Sequence, residues 1–382
     1  MLGLYLHIPF CEKICDYCDF FTIQGPTRLH GEFLDLLSRE MGLFADRHPG
    51  VFSQVETLYL GGGTPSLLSP DLLERLFSVL ASLGVPLTAL RESTMEFNPE
   101  STESERLDVA EKHGVTRVSL GLQSFRPELL RLVGRSHSVE RGLAALERLL
   151  SRPNFRVTAD LMFNLPGQTV PQFLEDLDLL SAYPLGHISF YGLKVDPRTR
   201  LGHRVEKGLA FIDENLYGDM YRKGVEMLES RGFERYEVSN FARPGEESLH
   251  NLNYWRRGEY LAFGPSAHGF LEGVRFHAPD LYPEWRRYVE SGCPESMLAK
   301  DPIGRDEVIA ETIQLSLRTK YGLDLGEMRR LGVVLPERVV TRYVERGFLK
   351  QSGARLVLEG DGWLFMDAVV ADLYSAAYSK LE

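Results

Sequence analysis

From Leu2 to Leu193, short apolar runs of strand length alternate with stretches of helical periodicity. Leu4-Ile8 reads as the first strand, and Phe33, Leu37, Met41 and Phe44 then recur at helical spacing between Gly31 and His48. Val55-Leu60, Glu92-Phe97, Thr116-Leu122, Arg156-Met162 and His187-Leu193 supply five more strands. Between them lie a helix with Ser69 as N-cap and Pro70 at its first position, then Glu103-His113, Pro127-Val133, Val139-Leu150 and Val170-Ser181. This alternation predicts an α/β fold with a parallel sheet and outer helices, either doubly wound or curled into a partial barrel.

Beyond the sixth strand the pattern changes. Asp213-Arg231 reads as a helix and Phe233-Ser239 as a strand, followed by an irregular, aromatic-rich stretch from Phe241 to Phe276. From about Asp301, helical segments Asp306-Leu317, Leu325-Leu331 and Glu337-Arg346 precede strand-like runs at Arg355-Leu358 and Gly362-Phe365, with a final helix to about Tyr378. Three helices and a small hairpin predict a winged-helix-like C-terminal domain. The expected division is a barrel over 1–232, a connecting region over 233–300 and the winged-helix-like domain over 301–382. Arg329, Arg330, Arg338 and Arg342 interleave with Glu327, Glu337 and Glu345, which favours a lid or docking module over a DNA reader.

A net charge of −11 over 382 residues argues against stable nucleic-acid binding, which usually needs a basic face. No apolar run is long enough for a transmembrane segment. The stretch before the first strand is too short for a secretory signal, and the few cysteines point to thiols in a reducing cytoplasm.

Three of the four cysteines change the picture. Cys11, Cys15 and Cys18 follow the first strand in a Cys-x3-Cys-x2-Cys loop. Soft thiolates in close sequence suit an iron–sulfur cluster, and three ligands to a four-iron cubane leave one iron open. A zinc site would need a fourth ligand, from His7 or Asp16, and zinc loops usually carry a second knuckle, which is missing here. A disulfide framework is disfavoured in so large and cysteine-poor a chain.

Other unusual residues also fall at strand ends, where βα loops converge on a ligand face. Gly61-Gly62-Gly63-Thr64-Pro65 is no phosphate-binding P-loop, because no Gly-Lys-Ser/Thr follows, but its glycines let a ligand approach the backbone. Glu96 and Asp160 offer partners for ribose hydroxyls, Gln123 an amide and Arg135 an anion partner. The set suits an amino acid joined to a nucleoside.

These motifs resemble the radical S-adenosylmethionine superfamily. Tyr5-x-His7-Ile8-Pro9-Phe10-Cys11, the glycine loop and Leu122-Gln123-Ser124-Phe125 are similar to its oxygen-independent coproporphyrinogen III oxidase branch. The resemblance implies a partial (β/α)6 barrel with a 4Fe–4S cluster on Cys11, Cys15 and Cys18. It also implies S-adenosylmethionine chelating the open iron, for cleavage to methionine and a 5′-deoxyadenosyl radical. The positions matching the family's contacts to that nucleotide are Tyr5, Tyr17, Gly63, Thr64, Glu96, Gln123, Arg135 and Asp160.

Two departures separate this chain from the coproporphyrinogen dehydrogenases of the branch. Phe20 stands where they resemble a fourth cysteine, and their longer N-terminal segment is missing. His250-Asn251-Leu252-Asn253-Tyr254-Trp255 instead resembles a signature of the branch's haem chaperones. On that resemblance His250, Tyr254 and Trp255 are candidates for binding haem, with delivery to an acceptor apo-haem protein such as a respiratory one. His7 and His268 are lesser candidates for iron, and His7 is better suited to brace the cysteine loop. The rival expectations are propionate decarboxylation by a coproporphyrinogen dehydrogenase and radical chemistry on another substrate such as RNA.

Overall fold

The computed structural model describes residues 1–378. Strands β1 (Leu2–Ile8), β2 (Val55–Gly62), β3 (Glu92–Phe97), β4 (Arg117–Gln123), β5 (Arg156–Phe163) and β6 (His187–Gly192) pair in sequence order, every pair parallel. Helices Arg28–Arg47, Pro70–Ser82, Ser104–Lys112, Val139–Leu150 and Val170–Ser181 alternate with them. Ser69 caps its helix as predicted, its hydroxyl oxygen accepting the Leu72 N–H.

Alternation along each strand explains the curvature. Successive side chains point to opposite faces. Leu58, Leu60, Met95, Val118, Leu120, Ile188 and Phe190 are buried in the apolar core. Their alternates Tyr59, Thr94, Glu96, Ser119, Asp160, Ser189 and Tyr191 line one polar cavity. One face is a hydrophobic core and the other a polar lumen, so the sheet is the predicted partial (β/α)6 barrel.

Past β6 the structure corrects the sequence reading. Phe233-Ser239 holds only the two-residue strand β7 (Glu234–Arg235), and a second short strand, β8 (Asn240–Ala242), follows it, antiparallel to β6. Nor is Phe241-Phe276 irregular. It holds a helix, Leu249–Trp255, then β9 (Tyr260–Phe263), β10 (His268–Leu271) and β11 (Val274–His277), with β12 (Ala299–Pro302) beyond. β9 lies parallel to β1, Gly3 opposite Tyr260 through Leu6 opposite Phe263. The sheet therefore runs through twelve strands, β12-β11-β10-β9-β1-β2-β3-β4-β5-β6-β8-β7.

Helix Leu249–Trp255 packs where β2 and β3 begin, held by a buried carboxylate. Glu92, fully buried, accepts the Leu249 N–H at 3.1 Å, the His250 N–H at 2.9 Å and the Ser248 hydroxyl at 3.3 Å. Negative charge is favoured against the free N–H groups of a helix start. Arg156 at 3.5 Å and Arg117 at 4.0 Å balance that charge.

The C-terminal region runs helix Arg305–Leu317, β13 (Leu323–Asp324), helices Leu325–Arg330 and Glu337–Glu345, then β14 (Leu349–Ser352) and β15 (Arg355–Leu358). The wing is β14 with β15, not Arg355-Leu358 with Gly362-Phe365. The latter run begins inside a tight turn, Gly360–Trp363, because Gly362 passes so close to the Phe348 carbonyl that no Cβ fits. Arg318 ties the module to the barrel, bonding the fully buried Glu237 at 3.0 Å and lying 4.3 Å over the Trp255 ring. Among the described residues, no helix is long and apolar enough to cross a membrane.

Removing Glu92's charge leaves two arginines and a helix start without their partner. Glu92→Gln should lower unfolding stability by about 3–5 kcal/mol, the usual cost of breaking a buried pair. Urea denaturation would read this as a lower midpoint at an unchanged slope.

Candidate cofactor site

The cysteine loop leaves β1 and is locked to the end of β2 by backbone bonds. Gly63 N–H donates to the Ile8 carbonyl at 2.8 Å, and Thr64 N–H to the Phe10 carbonyl at 2.7 Å. Bare glycine is required for this approach. A Cβ at Gly63 would lie 2.6 Å from the Phe10 oxygen, and one at Gly62, whose φ is +109°, would lie 2.7 Å from the His7 ring. His7 Nε2–H donates to the Phe21 carbonyl at 2.8 Å, and its Nδ1 meets the Tyr5 hydroxyl at 3.0 Å, so the imidazole braces the far end of the loop.

Cys11, Cys15 and Cys18 are half-buried on the wall of a cavity of about 490 Å³ that runs down the lumen. Thr64 donates to Cys11 Sγ at 3.8 Å, and Arg135 Nη1–H to Cys15 Sγ at 3.6 Å. Burial pushes the Cys11 thiol up to about 12 and raises Cys18 as well. Iron or another soft cation must therefore displace protons to bind here. Among the described residues, no three His, Cys, Asp or Glu side chains gather as a single metal ion requires.

Tyr17, Gly63, Thr64, Glu96, Gln123, Arg135 and Asp160 line this same cavity. Gln123, at a register shift in β4, sits at φ +69° and accepts the Tyr191 hydroxyl at 3.0 Å. That left-handed backbone is costly for a residue with a side chain and turns the amide inward. Arg135 donates to Asn98 at 2.9 Å and to the Gly121 carbonyl at 2.7 Å, while its Nε–H is buried without a partner. Burial opposes its charge, but Tyr17, Cys15 and Glu100 more than offset this and its pKa is raised. Glu96 accepts the Tyr59 hydroxyl at 2.7 Å and the Gly62 N–H at 3.2 Å. Burial pushes Glu96 up to about 7 and raises Asp160, which accepts the Ser119 hydroxyl at 2.9 Å.

Tyr5 is the exception among the expected nucleotide contacts. It faces a second cavity, beside His7, rather than the lumen. His250, a candidate for binding haem, has both ring nitrogens engaged. His250 is fully buried, with Nδ1 2.9 Å from the Thr57 hydroxyl and Nε2 2.8 Å from the Tyr254 hydroxyl, and burial lowers its pKa to about 3. Neither ring nitrogen is free for iron. Tyr254 and Trp255 do reach a cavity, the one that Tyr5 faces. Asn98, Ser119, Ser189 and Tyr191 line the lumen without having been singled out, although their place on the inward face of the strands follows from simple alternation.

The pattern of the Radical SAM superfamily matches residues 5–180. A protein named heme chaperone HemW from Mycobacterium tuberculosis is 36% identical over 379 residues, covering 97% of this chain and 94% of the relative. Its Bacillus subtilis namesake is 31% identical over 379 residues, covering 97% and 98%. The chain belongs to the HemW family.

The bovine mitochondrial radical S-adenosyl methionine domain-containing protein 1 is 36% identical over 98% of this chain and 87% of its own length. In fold, this HemW-family chain superposes on coproporphyrinogen III oxidase (HemN) from Escherichia coli with a TM-score of 0.85, covering 99% of this chain and 90% of that one at 21% identity. Superfamily membership implies a 4Fe–4S cluster and S-adenosylmethionine. The residues present fit both groups. Three thiols stand on one cavity wall, and Arg135, Glu96 and Asp160 line the same lumen.

The raised Glu96 has a measurable consequence. Its folded pKa of about 7 lies above the ordinary 4.5, so the folded state holds this proton more tightly than the unfolded chain does. Without cofactors, stability should fall as pH rises from about 4.5 to 7, by on the order of 3 kcal/mol from this group. Glu96→Gln should remove that part of the decline, read as melting temperature against pH in variant and parent.

Proposed function

We propose that this chain is a haem chaperone. It carries a 4Fe–4S cluster on Cys11, Cys15 and Cys18, holds S-adenosylmethionine in the lumen, binds haem and passes it to an acceptor apo-haem protein. The observation that carries this reading is the likeness, over nearly the whole chain, to proteins named heme chaperone HemW. The lumen supports it with donors suited to an amino acid joined to a nucleoside.

When bound, the cluster with one open iron supplies an anchor for the sulfonium nucleotide and a source of one electron. The chain's own residues orient the ligand. Gly62 and Gly63 bring bare backbone to the cluster's edge, and Arg135 offers its positive charge to a carboxylate. Glu96 and Asp160 accept from ribose hydroxyls, while Gln123 and Tyr17 close the sides. In this reading 1–232 holds the cofactors, 233–300 the cargo, and 301–382 serves as lid or docking surface. Thiols kept for a cluster suit a reducing compartment, and the one proposed is the cytoplasm.

The test is haem titration with and without the cluster, followed by mixing with an apo-haem acceptor. A saturable Soret band at one equivalent per chain, lost as the acceptor's band grows, is the expected result. Reconstituted protein should absorb broadly in the blue, and Cys15→Ser should lose that absorption together with its iron. Protoporphyrinogen made from coproporphyrinogen III under reducing, anaerobic conditions, with no haem uptake, would replace this reading with the dehydrogenase one.

A further inference from the structure

A second cavity, of about 640 Å³, lies beyond β1 from the lumen, between the β10–β11 hairpin and the C-terminal helix Arg305–Leu317. That volume is typical of cofactor-sized sites. Its walls are aromatic, with Phe20, Phe21, Tyr254, Trp255, Tyr260 and Phe270. We propose that this cavity is the haem seat, with His268 as the iron ligand and Arg257 and Arg275 receiving the propionates. This rests on the haem-chaperone reading and moves the ligand from His250 to His268.

Two observations carry it. His268 is exposed on the cavity wall, its ring stacked on His277 with centroids 4.8 Å apart. Among the described residues its nitrogens make no hydrogen bond, whereas those of His250 and His7 are all engaged. A neutral imidazole with a free nitrogen is the commonest protein ligand to haem iron.

The second is charge at the other end. Phe270 and Arg275 are opposite one another across the hairpin, two residues or about 7 Å along the strand from His268. Arg257 bonds Glu311 at 2.9 Å, and Arg275 bonds the other oxygen of the same carboxylate. Two guanidiniums share the Glu311 carboxylate, with Asp19 the other acid in the lining, and each keeps N–H donors without partners among the described residues. Forked guanidinium donors suit carboxylates.

The full-length, cluster-loaded protein would be titrated with ferric haem, following the Soret band, for the parent, His268→Ala, Arg275→Glu and His250→Ala. His268→Ala should shift the Soret maximum and weaken binding at least tenfold, with melting temperature and iron content of the cluster unchanged. Added imidazole should restore the parent spectrum. Arg275→Glu should weaken haem binding by a similar factor without shifting the band. Parent-like affinity and spectrum in His268→Ala, or a ligand change seen only in well-folded His250→Ala, would overturn the assignment while leaving haem binding intact. Failure of the parent to bind haem would instead remove the haem-chaperone reading itself.

Discussion

Two backbone hydrogen bonds set the geometry on which the rest depends: Gly63 N–H to Ile8 and Thr64 N–H to Phe10. They fuse the exit of β1 to the exit of β2, and no residue larger than glycine is tolerated at that contact. The three cysteines follow directly, so their position above the lumen is decided by main chain rather than by flexible side chains. The other side of the loop is pinned in the same way, with Asp16 N–H donating to the Val133 carbonyl and Leu201 N–H to Asp16. A loop held on both flanks loses little further freedom when it takes up a metal cluster, which favours binding.

The barrel was legible because period-two alternation and capping chemistry act locally. Val139-Leu150 and Val170-Ser181 are predicted to the residue, and the Ser69 cap is as expected. β9 was not legible. Tyr260-Leu-Ala-Phe is four residues long, and only its pairing to β1, more than two hundred residues away in sequence, makes it a strand. The wing was misplaced for a similar reason, since Leu349-Lys-Gln-Ser has one apolar residue and becomes a strand by pairing with β15.

Among the site residues, those at the ends of β3, β4 and β5 meet in the lumen because strand ends in a β/α barrel must converge. Tyr5 and His250 lie away from the lumen, and a motif carries no sign of which way a side chain faces. Tyr5 alternates with Leu4 and Leu6, yet β9 on its far side gives the inward face of β1 a second chamber. His250 lies in the first turn of a short helix whose start is clamped by Glu92, so its ring is driven against Thr57 and Tyr59.

That helix also explains why the motif spans two sites. Asn251 lines the lumen, whereas Tyr254 and Trp255 line the second cavity. Asp19 and Phe20, just past the last cysteine, border both. The chambers differ in chemistry: carboxylates, hydroxyls and an arginine crowd the lumen, while aromatic rings dominate the other. Burying an apolar macrocycle against the carboxylates of the lumen would strip them of polar partners, whereas the hydroxyls, amino group and carboxylate of a sulfonium nucleotide need the polar partners that the lumen supplies. Segregation by polarity therefore sends the two ligands of the proposed function to opposite sides of β1. The partition between them is β1, and the segment just past the last cysteine, Asp19 and Phe20, borders both, so a shift of that segment reaches the aromatic chamber.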